Sequence, residues 1–326
     1  MATTVAPEPA VTLADVHRAA QRLAGVAHRT PVLRSRSLDG RVGAQIFFKA
    51  EVFQRTGSFK FRGAYHCIAQ LPDAVRRRGI LTYSSGNHAQ AVACAGRMFG
   101  VRTVVVMPTV APSVKRAAAE VYGAEVVLYD PATSSREQVA TELERQQGLV
   151  LVPPYDDPAV VAGQGTVALE LLEQAGPLDA LLVPCGGGGL LSGCALVLKE
   201  SGCTTRVIGV EPALADDATR SFRTGVLHRV EYPPTLADGL RTPSLGQLTF
   251  ALIRRYVDEM WTVSEEAIRE ALWWLWTRLK VTVEPSAAVG FAALLTHGPP
   301  GGRVGVVLSG GNVDPLELFG RAWTAR

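Results

Sequence analysis

Cysteine is scarce and follows no pattern. The five present (Cys67, Cys94, Cys185, Cys194 and Cys203) are odd in number and contain no CxxC pair. That argues against a disulfide framework and against a zinc site, and it fits a reducing, cytoplasmic compartment. Long apolar runs are missing as well: no stretch approaches the ~20 residues that cross a bilayer. Met1 to Val11 are rich in Ala, Thr and Pro and lack the charged start and apolar centre of a secretion signal. Charge is sparse and balanced, with a formal net value of +3 over 326 residues. No basic stripe interleaved with aromatics marks a nucleic-acid surface, and Arg76-Arg77-Arg78 before Gly79 fits a solvated helix end. A chain of this length has room for two lobes, each with its own core.

What is present is an alternation of short apolar runs with helical ones. Ile46–Lys49, Ile80–Tyr83, Thr103–Met107, Glu125–Tyr129, Leu149–Val152, Ala180–Pro184, Arg206–Val210 and Val304–Leu308 are expected strands. Helices are expected to start near Ser58 and over His88–Phe99, Pro112–Tyr122, Ser135–Gln147, Leu190–Lys199 and Glu265–Lys280. Strands bounded by Gly and Pro, each followed by a helix, specify an α/β fold of mostly parallel sheets covered on both faces. In such folds the site lies at the carboxyl ends of the strands, where helix N-termini point at ligand.

Several loops at those ends carry suitable chemistry. In Gly57-Ser58-Phe59-Lys60, Ser58 is the expected N-cap and Lys60 sits in the first helical turn, where exposed N–H groups disfavour a cation. With two phenylalanines beside it, the amine is either a nucleophile of lowered pKa or a lysine snorkelling past aromatic neighbours. Gly186 to Gly189 follow a strand and open a helix, a cradle for phosphate. A dinucleotide site competes because Glu211 ends the next strand, but Leu191 and Ser192 occupy the final positions of any GxGxxG. Ser84-Ser85-Gly86-Asn87-His88 offers donors to a carboxylate, or is an ordinary capped helix start. Ser309, after the last strand, reads by itself as a turn residue or a cap. Glu211, the Ala215 carbonyl and Asp217 are either an oxygen set for Mg²⁺ or Ca²⁺ or an acidic cap on the next helix.

Together these segments resemble the fold-type II pyridoxal-phosphate enzymes, specifically the threonine/serine dehydratase and serine racemase family. TGSFKFRGA, SSGNHAQA, AGQGTVALE, PCGGGGLLSG, GVEPALADD, VEPSAAVG and VLSGGNVD occur in the family's order between about Leu13 and Leu318. The resemblance implies two lobes: a large cofactor-binding one from 1–72 and 151–326, and a small one from 73–150 that closes over substrate. It implies that Lys60 holds pyridoxal 5'-phosphate covalently and shuttles the Cα proton. Phe59 packs on the pyridine ring, Asn87 bonds the phenolic oxygen, Ser309 faces the ring nitrogen, and Gly186 to Gly189 with Leu190 hold the phosphate. Ser84, Ser85, Asn87 and His88 take the substrate carboxylate.

The expected reaction is β-elimination of L-serine or L-threonine to a 2-oxo acid and ammonia. Ser85, where plain dehydratases usually carry alanine, points to the racemase-like branch as the alternative. Arg136 stands where that branch keeps an arginine at the distal end of the substrate, which adds 3-hydroxyaspartate to the substrates. The acidic set matches the branch's divalent-cation site, and a homodimer is the usual assembly. A nicotinamide-dependent dehydrogenase is the distant alternative. The feedback-regulatory domain of isoleucine-inhibited threonine enzymes is not expected.

Overall fold

The computed structural model describes residues 10–314 apart from Pro112 and Tyr232. The expected start of one helix at Pro112, the opening residues Met1 to Pro9 and the positions from Pro315 onward lie outside that range. Ten strands are assigned in it: β1 (Val32–Leu33), β2 (Gln45–Ala50), β3 (Ile80–Tyr83), β4 (Thr103–Pro108), β5 (Glu125–Tyr129), β6 (Val150–Leu151), β7 (Ala180–Pro184), β8 (Arg206–Pro212), β9 (Glu259–Val263) and β10 (Arg303–Leu308). They form a six-stranded sheet in the order β1-β2-β10-β7-β8-β9 and a four-stranded sheet in the order β5-β4-β3-β6. Every pairing is parallel except that of β1 with β2.

The apolar runs become buried strands because both faces of each sheet are covered. Along β7, Leu181 and Val183 face one core with Phe47, Val207 and Val307. Ala180 and Leu182 face the opposite core with Ile46, Phe48, Ile208 and Val306. The small sheet repeats the pattern, with Val105 and Met107 on one side and Val104 and Val106 on the other. The two-residue side-chain period of a strand thus serves two layers at once.

Two strands escape the sequence pattern. β1 is only two residues long, and β9 (Glu-Met-Trp-Thr-Val) lies between Asp258 and Ser264-Glu265-Glu266, with no Gly or Pro to bound it. The helix expected over Glu265–Lys280 ends at Trp274, passes through one π-turn (Leu275–Leu279) and stops at Lys280 in the left-handed region, φ 61°.

The Lys60 helix (Lys60–Gln70) is clamped between the layers. Its Gly63 crosses Gly163 of the helix Pro158–Ala175, where a Cβ on Gly163 would lie 2.6 Å from the Gly63 Cα. Its apolar face, Phe61, Ala64 and Ile68, packs on Ile80, Ala91, Val92 and Val152. Its fully buried Arg62 donates to both oxygens of Glu51 (2.7 and 2.8 Å) and both oxygens of Glu170 (2.7 and 2.9 Å). Buried Lys49 donates to the same Glu170 (2.6 Å) and to the Thr30 carbonyl (2.8 Å). Two cations thus meet two carboxylates, so the network is neutral and each charge is hydrogen-bonded.

Removing Arg62 leaves the buried Glu51 carboxylate without a cation and Glu170 with Lys49 alone. Arg62→Met is expected to cost about 3–5 kcal/mol of stability. Chemical denaturation of the purified variant checks this, and a loss below about 1 kcal/mol would contradict a clamping role.

Candidate active site

One cavity of about 670 Å³ opens at the carboxyl ends of β3, β7 and β10. Among the residues lining it are Phe59, Lys60, Ser84, Ser85, Asn87, His88, Arg136, Gly186 to Gly189, Leu190 and Ser309, so the folded chain gathers these separate loops into one place. Glu211, Ala215 and Asp217 do not line it.

Lys60 lies in the first turn, as the sequence indicates, but as the first helical residue, because Ser58 does not cap the helix. Phe59 is the N-cap residue and makes no side-chain capping bond. Ser58 is extended at φ −159° and bridges to Gly310, which leaves its buried Oγ without a partner. The loop is bound instead to the segment after β10. Phe59 N–H donates to the Ser309 carbonyl (3.0 Å), and Gly311 N–H donates to the Gly57 carbonyl (2.9 Å). Asn312 Nδ2 donates to the Thr56 carbonyl (2.7 Å), across a residue held at φ 59°.

The Lys60 amine donates to the Pro154 carbonyl at 2.6 Å and lies 5.2 Å from the Phe59 ring centroid. Burial pulls its pKa down to about 8, against which the nearby Glu284 carboxylate acts. Glu284 is itself pushed up to about 8 by burial, then by the charge of Asp238. Its two oxygens accept from Asn87 Nδ2 at 2.8 and 3.1 Å, and Asn87 Oδ1 accepts from Asn312 (2.9 Å). Burial thus disfavours the charged form of both the lysine and the carboxylate, as is common for titratable groups lining a functional cavity.

The glycine loop follows β7 directly. Gly188, at φ 91°, is the N-cap of the helix Gly189–Glu200, whose first residues, Gly189 and Leu190, line the cavity. A Cβ on Gly187 would fall 2.2 Å from the Tyr155 ring, so the loop is glycine where a side chain would overlap an aromatic ring. Thr242 stands beside Gly186, and its buried Oγ1 has no partner. An amine, a glycine loop opening a helix and the partnerless Thr242 hydroxyl in one cavity fit an aldehyde that carries a phosphate.

The remaining residues are placed as follows. Ser84 Oγ accepts from Gly86 N–H (3.2 Å). His88 Nε2 donates to the Val152 carbonyl (3.0 Å), and burial, helped by the Lys60 charge, lowers its pKa to about 3. It is therefore a neutral ring whose one N–H ties the loop to the end of the small sheet. Arg136 lies over the Tyr83 ring, 5.2 Å from its centroid, and its Nε donates to Glu137 (2.8 Å).

At the acidic set, Glu211 accepts from the N–H groups of Ala218 (3.2 Å) and Thr219 (2.6 Å), so a strand-end carboxylate caps the helix Asp217–Thr224. Burial raises the Glu211 pKa well above its ordinary value and that of Asp217 to about 7, while buried Asp217 Oδ2 has no partner. Among the described residues, no group of three or more His, Cys, Asp or Glu side chains converges as a metal cluster.

Sequence reasoning missed Glu284, Asn312, Tyr155, Thr242 and an ion pair between Lys115 and Asp238 at the cavity mouth. Glu284 and Asn312 stand inside VEPSAAVG and VLSGGNVD, yet nothing local to those segments shows that they meet Asn87. Tyr155 follows the end of β6, so the rule that sites lie at strand ends was the signal available for it.

The family model described as pyridoxal-phosphate dependent enzyme matches residues 23–310. The chain belongs to this family. It is 48% identical over 305 residues (93% of this chain, 94% of the relative) to the L-threo-3-hydroxyaspartate ammonia-lyase of Saccharomyces cerevisiae. It is 45% identical over 305 residues (93% and 94%) to the serine racemase of Schizosaccharomyces pombe. The crystal structure of a threonine deaminase from T.th. superimposes with a TM-score of 0.87 at 49% identity, covering 93% of this chain and 99% of that one. The chain is thus a pyridoxal-phosphate-dependent enzyme of the ammonia-lyase and racemase type, with the α/β fold expected of it. No helix among the described residues is long and apolar enough to cross a membrane.

An amine with a pKa near 8 is neutral and nucleophilic far more often at pH 8 than an ordinary lysine, by roughly a hundredfold. The rate at which the apoprotein captures pyridoxal phosphate is therefore expected to rise about tenfold per pH unit and to level off near pH 8. Stopped-flow absorbance follows this, and a rate still climbing past pH 10 would show that burial leaves the amine unperturbed.

Proposed function

We propose that the chain is an ammonia-lyase that eliminates water from a 3-hydroxy amino acid bearing a second carboxylate, of the L-threo-3-hydroxyaspartate kind. L-serine and L-threonine are poorer substrates in this reading. The observation that carries it is Arg136 lining the same cavity as Lys60 and the Ser84–His88 loop: its Nε is paired with Glu137, and a guanidinium has further N–H donors for a distal carboxylate that serine and threonine lack. The names of relatives at 48% and 49% identity agree with it.

Lys60 covalently holds the cofactor, the glycine loop and Leu190 take its phosphate, and Phe59, Asn87 and Ser309 surround its ring. When bound, the cofactor supplies an electron sink for the pair left when the Cα proton departs. Lys60 would be freed from the cofactor when the substrate's amine takes its place, and its Nζ, neutral because burial lowers its pKa, would then take that proton. Ser84, Ser85 and the N–H groups opening the helix Asn87–Met98 hold the α-carboxylate. The β-hydroxyl leaves as water, and hydrolysis of the released enamine restores that water. The net products are a 2-oxo acid and ammonium. The segment 73–150, which carries this loop and Arg136, moves over the bound substrate and excludes solvent.

A second reading, serine racemisation, is favoured by Ser85 in the cavity wall, where a hydroxyl provides a second proton carrier. One panel separates the two. Arg136→Met is expected to lower kcat/KM for L-threo-3-hydroxyaspartate by roughly 10- to 100-fold and to change that for L-serine by less than about threefold. Equal losses on both would sink the distal-carboxylate reading. Chiral chromatography of unreacted serine is expected to show D-serine only while Ser85 is present, with elimination surviving in Ser85→Ala.

A divalent cation held by Glu211, the Ala215 carbonyl and Asp217 belongs to the same reading, as do a homodimer and a cytoplasmic setting for five free cysteines. The partnerless, buried Asp217 Oδ2 supports the cation. Excess Mg²⁺ is expected to raise the Tm of the wild type, and chelator to lower it, with neither acting on Asp217→Asn. A Tm indifferent to both would count against a cation there.

A further inference from the structure

Pro154-Tyr155-Asp156-Asp157 connects β6 to the helix Pro158–Ala175, and its polar groups leave in different directions. The Pro154 carbonyl accepts from Lys60, the Tyr155 ring lies against Gly187, and Asp157 caps its own helix through Val160 N–H (2.9 Å). Asp156 reaches elsewhere. The helix Gln247–Tyr256 begins at Gly246, which has no side chain with which to cap it. Asp156 supplies the cap from 91 residues away, accepting from Gln247 N–H (3.0 Å) through Oδ2 and from Thr249 N–H (3.1 Å) through Oδ1. A Cβ on Gly246 would lie 2.0 Å from the Asp156 Cγ, so only glycine leaves the carboxylate its place.

The capped turn presents Thr249 to the glycine loop. Its Oγ1 accepts from Gly246 N–H (2.9 Å) and donates to the Gly187 carbonyl (2.7 Å). Its Cβ also stands where a side chain on Gly188 would go, 2.9 Å from that position. In a trans peptide the carbonyl and the N–H of one unit point in opposite directions. Pinning the Gly187 carbonyl towards Thr249 therefore turns the Gly188 N–H the other way, towards the cavity that both glycines line.

We propose that Asp156 and Thr249 are positioning residues that fix the plane of the Gly187–Gly188 peptide and aim its N–H at the phosphate of the cofactor. This rests on the glycine loop being the phosphate cradle. A neutral hydroxyl does the aiming, which leaves every N–H of the loop free for the anion, and a remote carboxylate holds that hydroxyl in register.

The test compares apoproteins binding pyridoxal phosphate and pyridoxal, which lacks the phosphate, by fluorescence titration. Thr249→Val, which keeps the shape and loses the hydroxyl, is expected to weaken pyridoxal phosphate roughly 10- to 100-fold and leave pyridoxal unchanged. Thr249→Ser restores the wild-type preference, and Asp156→Ala shifts it in the same direction as Thr249→Val. A Thr249→Val apoprotein that keeps the preference, or that loses both ligands equally, overturns the proposal. A wild-type apoprotein that binds both ligands alike overturns the phosphate-cradle reading and this proposal with it.

Discussion

The Arg62 guanidinium, buried two residues after Lys60 and held by Glu51 and Glu170, is the constraint on which the site depends. The Lys60 amine stands at the first position of its helix, and helices fray first at their ends. Here the first turn is fixed by charge. Glu51 lies just beyond β2, and Glu170 lies in the helix Pro158–Ala175, so one side chain ties the Lys60 helix to the large sheet and to the layer above it. Because Lys49 balances the second carboxylate, the cluster carries no net charge into the interior. Its geometry, more than its energy, is what the site uses, since an apolar cluster of equal volume would not set the direction of a helix so narrowly.

The same economy governs the cavity. Lys60 loses proton affinity through burial and regains part of it from Glu284, whose own carboxyl is raised by burial and by Asp238. Each shift has a different balance of causes, yet they converge, and the Asn87–Asn312 chain holds Glu284 in place without another charge. Asn312 also grips the Thr56 carbonyl, so the left-handed residue before Lys60 is held by the segment after the last strand. Left-handed threonine is costly, of order 1–3 kcal/mol, and persists only where surrounding bonds over-determine it.

Legibility differed with the range of the interaction. Strand positions and the Lys60, Ser84 and glycine-loop sites could be found because their signals are local: apolar period, helix starts, and glycines at a strand–helix junction. Ser58 shows how a local rule fails, since its capping propensity gave way to a bridge with Gly310, more than 250 positions away in the chain. Glu211 shows another limit: of the two readings left open for it, the structure shows the cap on the next helix, through the N–H groups of Ala218 and Thr219. β9 was hidden because a five-residue strand with charged edges resembles a loop until β8 pairs with it.

By itself the sequence determined the α/β layering, the positions of Lys60 and of the glycine turn at the starts of helices and, through seven ordered motifs, the family. Only the tertiary structure decided which groups surround that amine. Glu284, Tyr155, Thr249 and Asp156 act through contacts with residues distant in sequence, and hydrogen bonds and burial depend on distance in space, which no local pattern of residues records.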